Sequence, residues 1–407
     1  MAMIPVEEAL RRVLAGIAQP VEAEAVALVD AIGRTLAADL VAERDQPPFA
    51  ASAMDGYAVR GADLARLPTT LRVVGTSVAG KRYAGRVGEG EAVRIFTGAP
   101  LPEGADSIVI QEDTEAGEGV VTIHAKEPPG RYVRAAGLDF KTGTMLLRAG
   151  ERLDARRITL AAAAGRGTLS VRRRPRIAIL ATGDELVSPG QRPAPDQIFA
   201  SNPYGVRAIV ERAGGEAIDL GIARDTMDDL AARIAKAREA RADILVTLGG
   251  ASVGDHDLVQ KALAADGMEL GFWRVALRPG KPLMHGRLGE TLLLGLPGNP
   301  VSSLVCSVLF LVPAILALLG DPAAGEDQTE TAILGAALPE NDGRQDYMRA
   351  ALSRGPDGEI RASAHSRQDS SMMAVLAASE ALIVRPPRAP PLAAGEPCRI
   401  IRLDRFM

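Results

Sequence analysis

Between Ala242 and Ser303 three short apolar runs each stop at a turn rich in glycine or proline. The first, Ile244-Leu245-Val246-Thr247-Leu248, leads into Gly249-Gly250-Ala251-Ser252-Val253-Gly254-Asp255-His256-Asp257. The second, Phe272 to Leu277, leads into Arg278-Pro279-Gly280-Lys281-Pro282. The third, Leu292 to Leu296, gives way to Pro297-Gly298-Asn299-Pro300. Continuous apolar runs of this length read as strands buried on both faces. A buried strand that ends in a glycine turn and hands over to a helix is the α/β arrangement for holding an anion. One of these turns carries carboxylates and another carries cations. The pattern predicts a metal-bridged or phosphorylated substrate meeting a second anion.

At 407 residues the chain exceeds one ordinary core, so two to four domains are expected. A hydrophobic content of 47% excludes wholesale disorder, and 3% aromatics leaves too few rings for a nucleic-acid stacking platform. The net charge of −4 argues against a nucleic-acid coat while permitting a local basic pocket. Cys306 and Cys398 are far apart, and the four histidines fall in four separate segments. Neither a disulfide framework nor a His- or thiolate-based metal site follows. The N-terminus reads as a docking helix with Val6, Leu10, Val13, Leu14 and Ile17 on one face, not as a secretory leader. The apolar run Val301 to Leu319 contains Ser302, Ser303, Ser307 and Pro313 and follows a glycine turn, which predicts a buried α/β helix rather than a membrane span. The cytoplasm is the expected compartment.

The chain changes character along its length. Residues 1–46 read as the first helix and a second helical stretch around Val21 to Ala38. From Pro47 to Gly137 short β runs alternate with Gly/Pro turns, as in a small inserted β domain. Helical character returns at Arg156 to Ala164, so 138–172 is expected to complete the N-terminal helical and extended linking domain. Residues 173–322 alternate β and α at doubly wound spacing, and Asp184, Glu185, Asp225, Asp255 and Asp257 fall at or just after strand ends, where such folds bind ligands. After the Asp321-Pro322-Ala323-Ala324-Gly325 linker, residues 323–407 carry short β runs that fit a barrel or sandwich. The fold class is therefore multidomain α/β plus β: a doubly wound domain, an inserted small β domain, a linking domain and a C-terminal β-barrel.

In the Gly249–Asp257 loop, successive backbone N–H groups and the Ser252 hydroxyl suit an anion, and Asp255 and Asp257 at a helix start suit Mg²⁺ beside phosphates. A tight turn with Asp255 as a helix cap has the same spelling. Arg278 and Lys281 on a proline-stiffened turn suit an oxyanion, or are simply a solvated basic turn. Ser52-Ala53-Met54-Asp55-Gly56-Tyr57-Ala58 and Gly137-Leu138-Asp139-Phe140-Lys141-Thr142-Gly143 read by themselves as plain β-turns.

Taken together, these segments resemble the molybdopterin molybdenumtransferase (MoeA) family, related to the gephyrin E domain, over essentially the whole chain. The carriers are the 52–58 segment, Phe96-Thr97-Gly98-Ala99-Pro100-Leu101-Pro102, Thr182-Gly183-Asp184-Glu185-Leu186, the Gly249–Gly254 loop, Arg278–Pro282, Gly295–Pro300 and Gly343-Arg344-Gln345-Asp346-Tyr347. The resemblance implies an enzyme that inserts molybdate into adenylylated molybdopterin, releases AMP with Mg²⁺ assistance, and works as a homodimer. Its active site would lie between the doubly wound domain of one subunit and the β insertion of the other. It maps family carboxylates onto Asp55, Asp139, Glu185, Asp225 and Asp257, with Asp257, Asp225 and Glu185 as the metal set. It places substrate contacts at Thr97, Thr182, Gly183, Gly249, Gly250, Ser252, Arg274, Pro297 and Pro300, and molybdate contacts at Arg278, Lys281, Arg344 and Ser370. Arg274 and Arg278 stand where relatives often carry lysine, and a forked guanidinium replaces a point charge there. Gln368-Asp369-Ser370 departs from the more usual Gln-Gly-Ser. Partners implied are molybdopterin adenylyltransferase and acceptor molybdoenzymes, in transient contact, with no nucleic acid or membrane. Two other readings stay open at this point: adenylylation of molybdopterin from ATP, and a non-enzymatic scaffold of the same fold.

Overall fold

Six strands build the sheet that carries the middle of the chain, in the order Glu216–Ala223, Arg176–Thr182, Ile244–Leu248, Thr291–Leu296, Pro282–Leu288, Glu269–Arg274. The computed structural model describes residues 3–250, 258–355 and 357–407. The first four strands run parallel, Pro282–Leu288 runs against them and Glu269–Arg274 against it in turn, so the doubly wound sheet ends in two antiparallel pairings. Every residue of Ile244–Leu248 is buried, as its uninterrupted apolar run requires.

Helices cover both faces. On one, Asn202–Ala213 and the long helix Pro300–Leu319 pack with the N-terminal helix Val6–Ala15 over Ile177, Ile179, Val246 and Leu294. On the other, Met227–Glu239 and Leu258–Ala265 cover Ala178, Leu180, Leu245 and Leu293. Each fully buried Leu, Ile or Val contributes about 1.5–3 kcal/mol relative to exposure. The N-terminal helix buries Val6, Ala9 and Val13 in this core, and Leu10 and Ile17 pack against it. Pro300–Leu319 is long and apolar enough to cross a membrane, yet 78% of its most apolar 18-residue stretch is buried inside the protein. Its middle, Ser307–Leu311, widens into a π turn just before Pro313, which lacks the N–H that an α-helix would use there.

The stretch 21–38 corrects the helical expectation. Ala23–Ala27 is a strand, paired antiparallel with Thr168–Arg172, and Leu28–Asp30 is a single 3₁₀ turn. Its Glu/Ala content favours a helix, but pairing with a distant strand overrides that local preference. The helix Ala155–Ala163 begins at Asp154, whose carboxylate accepts from Arg157 N at 2.9 Å. Between these elements sits the inserted unit, a six-stranded sheet in the order Ser107–Ile110, Gly56–Val59, Glu91–Ile95, Thr69–Ser77, Val120–Ile123, Thr114–Ala116.

At the C-terminus Gln345–Arg354, Ile360–Ala364, Glu330–Leu334, Pro397–Arg402 and Ala381–Arg385 pair in turn, and the last returns to the first, closing a barrel. Leu277–Arg278 adds in parallel to Gln345-Asp346, so a strand from the α/β domain is joined to the barrel wall. Closure and this addition leave less open edge for unwanted pairing.

Arg173 ties the linking segment to the central sheet. Its guanidinium donates to both Asp243 oxygens at 2.7 and 2.8 Å and to Glu22 at 2.6 Å. Asp243 also accepts from Arg176 N at 2.7 Å. Removing this carboxylate leaves a half-buried backbone donor and a bidentate fork without their acceptor. Asp243→Ala is expected to cost about 2 kcal/mol, read as a lower Tm in thermal unfolding. An unchanged Tm would show that the link carries no stability.

Candidate functional site

Strand register fixes the site. Thr182 pairs with Ala223, Ala181 with Leu248, and Leu248 with Leu296. The carboxyl ends of four parallel strands thus lie side by side, and the turns that follow them face one cleft. Because Pro282–Leu288 runs the other way and Glu269–Arg274 runs with the parallel strands, the end of one meets the start of the other, and Arg274 is paired with Pro282 at this same edge of the sheet. A cavity of about 650 Å³ opens there, lined by Thr182, Gly183, Glu185, Asp225, Gly249, Gly250, Pro282, Pro297 and Pro300 among others. The size suits a ligand well beyond a single ion.

Each turn is held by local chemistry. Gly249 has φ 98°, and a side chain on it would press within 3.0–3.1 Å of Thr182 O and Oγ1, so only glycine lets the two strand ends approach. Glu185 folds back over Gly183, where a Cβ would lie 2.3 Å from its carboxylate. The turn bearing Asp225 is fixed by three bonds: Asp225 N donates to Asp184 at 3.2 Å, Arg224 N to Asp229 at 2.8 Å, and Thr226 N to Arg224 O at 2.8 Å. Partial burial, reinforced by the charges of Asp184 and Glu185, raises the Asp225 pKa above its ordinary value. Two helices, Asn202–Ala213 and Pro300–Leu319, begin at the cleft, and both start on an Asn-Pro pair. Their N-terminal dipoles favour an anion.

The cationic residues gather where the α/β domain meets the barrel. Arg278 donates to Asp346 at 3.1 Å, to Asp342 at 3.1 Å and to Asn341 at 3.3 Å. Arg344 donates to the same Asp342 oxygen at 2.7 Å. Asp342 therefore bridges the two guanidiniums, chiefly through its bonds to Arg344, and its pKa falls to about 2. Lys281 is exposed, and neither it nor Arg274 has a side-chain partner among the described residues. Lys281 adjoins Pro282 in the cavity wall. Ser370 reaches the cleft from the barrel: its Oγ accepts from Asn299 at 2.9 Å and its carbonyl from Val301 N at 3.1 Å.

Asp55, Thr97 and Asp139 lie elsewhere. Thr97 donates to the Asp55 carboxylate from its backbone N at 2.7 Å and its hydroxyl at 2.8 Å, which lowers the Asp55 pKa. Asp139 lines a second cavity of about 410 Å³ with Gln46, Phe49, Gly98 and Arg134. These residues do not line the cleft of their own chain. Ser252, Asp255 and Asp257 lie outside the described residues. Among those described, no three His, Cys, Asp or Glu side chains converge as a preformed metal cage.

Comparison with known proteins agrees with this layout. Residues 4–165 match the model of the MoeA N-terminal region (domains I and II), 178–317 that of a probable molybdopterin binding domain, and 331–403 that of the MoeA C-terminal region (domain IV). The molybdopterin molybdenumtransferase of Haemophilus influenzae is 33% identical over 97% of both chains. The chain belongs to the molybdopterin molybdenumtransferase family. The Bacillus subtilis member is 34% identical, covering 94% of this chain and 90% of that one. Crystal structures of a MoeA protein from Pyrococcus horikoshii superpose with TM-scores of 0.85 and 0.84 at 31% and 27% identity, over 98% of this chain. The multidomain α/β-plus-β fold expected from the sequence is the fold of this family.

Several residues at the site escaped the sequence reading as site members. Asn202 donates to Gly298 O at 2.8 Å across the cleft and Asn299 holds Ser370. The repeated Asn-Pro at two helix starts was the available signal. Asp342 had none, since it depends on the barrel meeting the Arg278 turn.

The raised Asp225 pKa has a sign. The fold disfavours the charged carboxylate, so a penalty is present above the folded pKa and vanishes below the ordinary value of 3.8. Asp225→Asn is expected to leave Tm equal to or higher than that of the parent at pH 8, with the difference closing as pH falls toward 3.8. Thermal melts across pH measure this, and a variant less stable at pH 8 contradicts the electrostatic account.

Proposed function

We propose that this chain completes the molybdenum cofactor. It takes adenylylated molybdopterin and molybdate, places molybdenum on the dithiolene sulfurs and releases AMP. The observation that carries this reading is the shared sheet edge: an acidic turn pair and two helix N-termini line one cavity, and Pro282, which ends the cationic turn, forms part of its wall. The pterin brings its own sulfur ligands, which accords with a chain whose two cysteines are buried and free.

The work assigned to the protein is to hold two anions together. Like unit charges at ~4 Å repel by about 4 kcal/mol at an effective dielectric near 20. Lys281, Arg274, Arg278 and Arg344 offset the charge of the oxyanion, and the helix starting at Asn202 favours the phosphate side. Mg²⁺ fits the acidic corner by donor chemistry, because it needs only one or two carboxylates beside substrate phosphates, and partial burial together with the charges of Asp184 and Glu185 raises the Asp225 pKa there. When bound it supplies charge neutralisation at the pyrophosphate and polarises the bond that breaks.

Asp55, pinned by Thr97, is an acceptor-only group that would orient the pterin or an attacking oxygen. It belongs to a surface that its own cleft does not use. We infer a homodimer in which the inserted β unit of one subunit completes the cleft of the other.

Purified protein is expected to release AMP from adenylylated molybdopterin only when molybdate is added. Formation of adenylylated molybdopterin from ATP would replace this reading with nucleotidyl transfer. Shared sites make a second expectation. Asp55→Asn and Asp225→Asn chains, each inactive alone, should recover about a quarter of the parent activity after unfolding and refolding as a mixture, since half the dimers then hold one intact site. No recovery would place both carboxylates in one subunit's site.

A further inference from the structure

Phe199 is the only aromatic side chain among the described residues that line the main cavity. It is 47% exposed, and its neighbour Ile198 is 60% exposed, in a chain that otherwise buries most of its large apolar side chains. Apolar surface left open inside the cleft has no packing role in the free protein. The backbone beneath it is fixed. Ile198-Phe199 pairs in parallel with Leu186-Val187, Ile198 N donates to Glu185 O at 2.8 Å, and Ala200 N donates to Val187 O at 2.9 Å. The phenyl ring is thereby carried on the segment that leaves the acidic turn and enters the Asn202 helix, with Ser201 and Asn202 next along the cavity wall.

We propose that Phe199 is the stacking face for a planar heteroaromatic ring of the substrate and so a determinant of how tightly the cleft holds it. The inference rests on the reading that the cleft takes adenylylated molybdopterin. That substrate offers two such rings, the pterin and the adenine, and both share the chemistry that Phe199 recognises: a flat π face with a polar edge. A phenyl ring stacks on the face, while the hydroxyl of Ser201 and the amide of Asn202 supply donors and acceptors for the edge. Stacking is tolerant of ring identity, so it contributes affinity, and the polar groups beside it discriminate.

The test compares Phe199→Ala, Phe199→Leu and Phe199→Trp with the parent in steady-state AMP release and in direct binding of two probes, AMP and pterin-6-carboxylate. Loss of a base–aromatic stack is expected to raise KM for adenylylated molybdopterin about ten- to a hundredfold in Phe199→Ala with little change in kcat. Phe199→Trp should restore KM and Phe199→Leu should not, since leucine keeps apolar volume without a flat face. The probe whose binding falls in Phe199→Ala identifies the ring: AMP for the adenine, pterin-6-carboxylate for the pterin. An unchanged KM in Phe199→Ala, or full restoration by leucine, overturns the stack while leaving the proposed reaction intact. If the parent releases no AMP yet binds a probe that Phe199→Ala loses and Phe199→Trp regains, the reaction falls and the stacking face stands. Equal binding of both probes by parent and Phe199→Ala overturns it.

Discussion

Everything at the site depends on parallel pairing in register across four strands. Because Thr182, Ala223, Leu248 and Leu296 end at the same level, four unrelated turns come to lie around one cavity. A slip of one residue in Ile244–Leu248 would turn its side chains to the opposite face and carry Gly249 away from Thr182. The burial of all five residues of that strand is what forbids the slip. Packing energy in the core is therefore spent on the placement of polar turns that contribute little stability themselves.

The antiparallel edge extends the same logic. Glu269–Arg274 ends at the carboxyl edge and the chain reverses there into Pro282–Leu288, so Arg274 and Lys281 lie at the level of the acidic turns without any further helix. The short strand Leu277–Arg278 then leaves this sheet and joins the barrel beside Gln345 and Asp346. One hairpin thus belongs to two domains and fixes the distance between the cleft and the barrel residues Arg344 and Ser370.

Much of this was legible in the chain because it is local. Strand–turn–helix alternation from Ile177 onward is written in apolar runs and Gly/Pro breaks, and the carboxylates at strand ends follow from that alternation. The burial of Pro300–Leu319 was legible too, from its serines and Pro313. What could not be read was long-range. Ala23–Ala27 became a strand because of Thr168–Arg172, some 145 residues away in sequence, and its Glu/Ala composition says nothing of that partner. Barrel closure, the hand-over of Leu277–Arg278 and the bridging by Asp342 share this cause. So does the separation of Asp55 and Asp139 from the cleft, which motif spelling does not convey.

The Asp342 bridge changes how the cationic corner meets an anion. Arg278 and Arg344 are not an open trap, since each already holds an intramolecular carboxylate. Under the function proposed above, an incoming oxyanion has to swap places with a competitor that never diffuses away and whose local concentration is set by the chain itself. Monovalent or weakly hydrogen-bonding anions gain too little from two guanidiniums to win that exchange. A tetrahedral dianion, able to engage both forks at once, gains more. On that proposal, discrimination among abundant cellular anions falls to a residue that need not touch the reacting atoms.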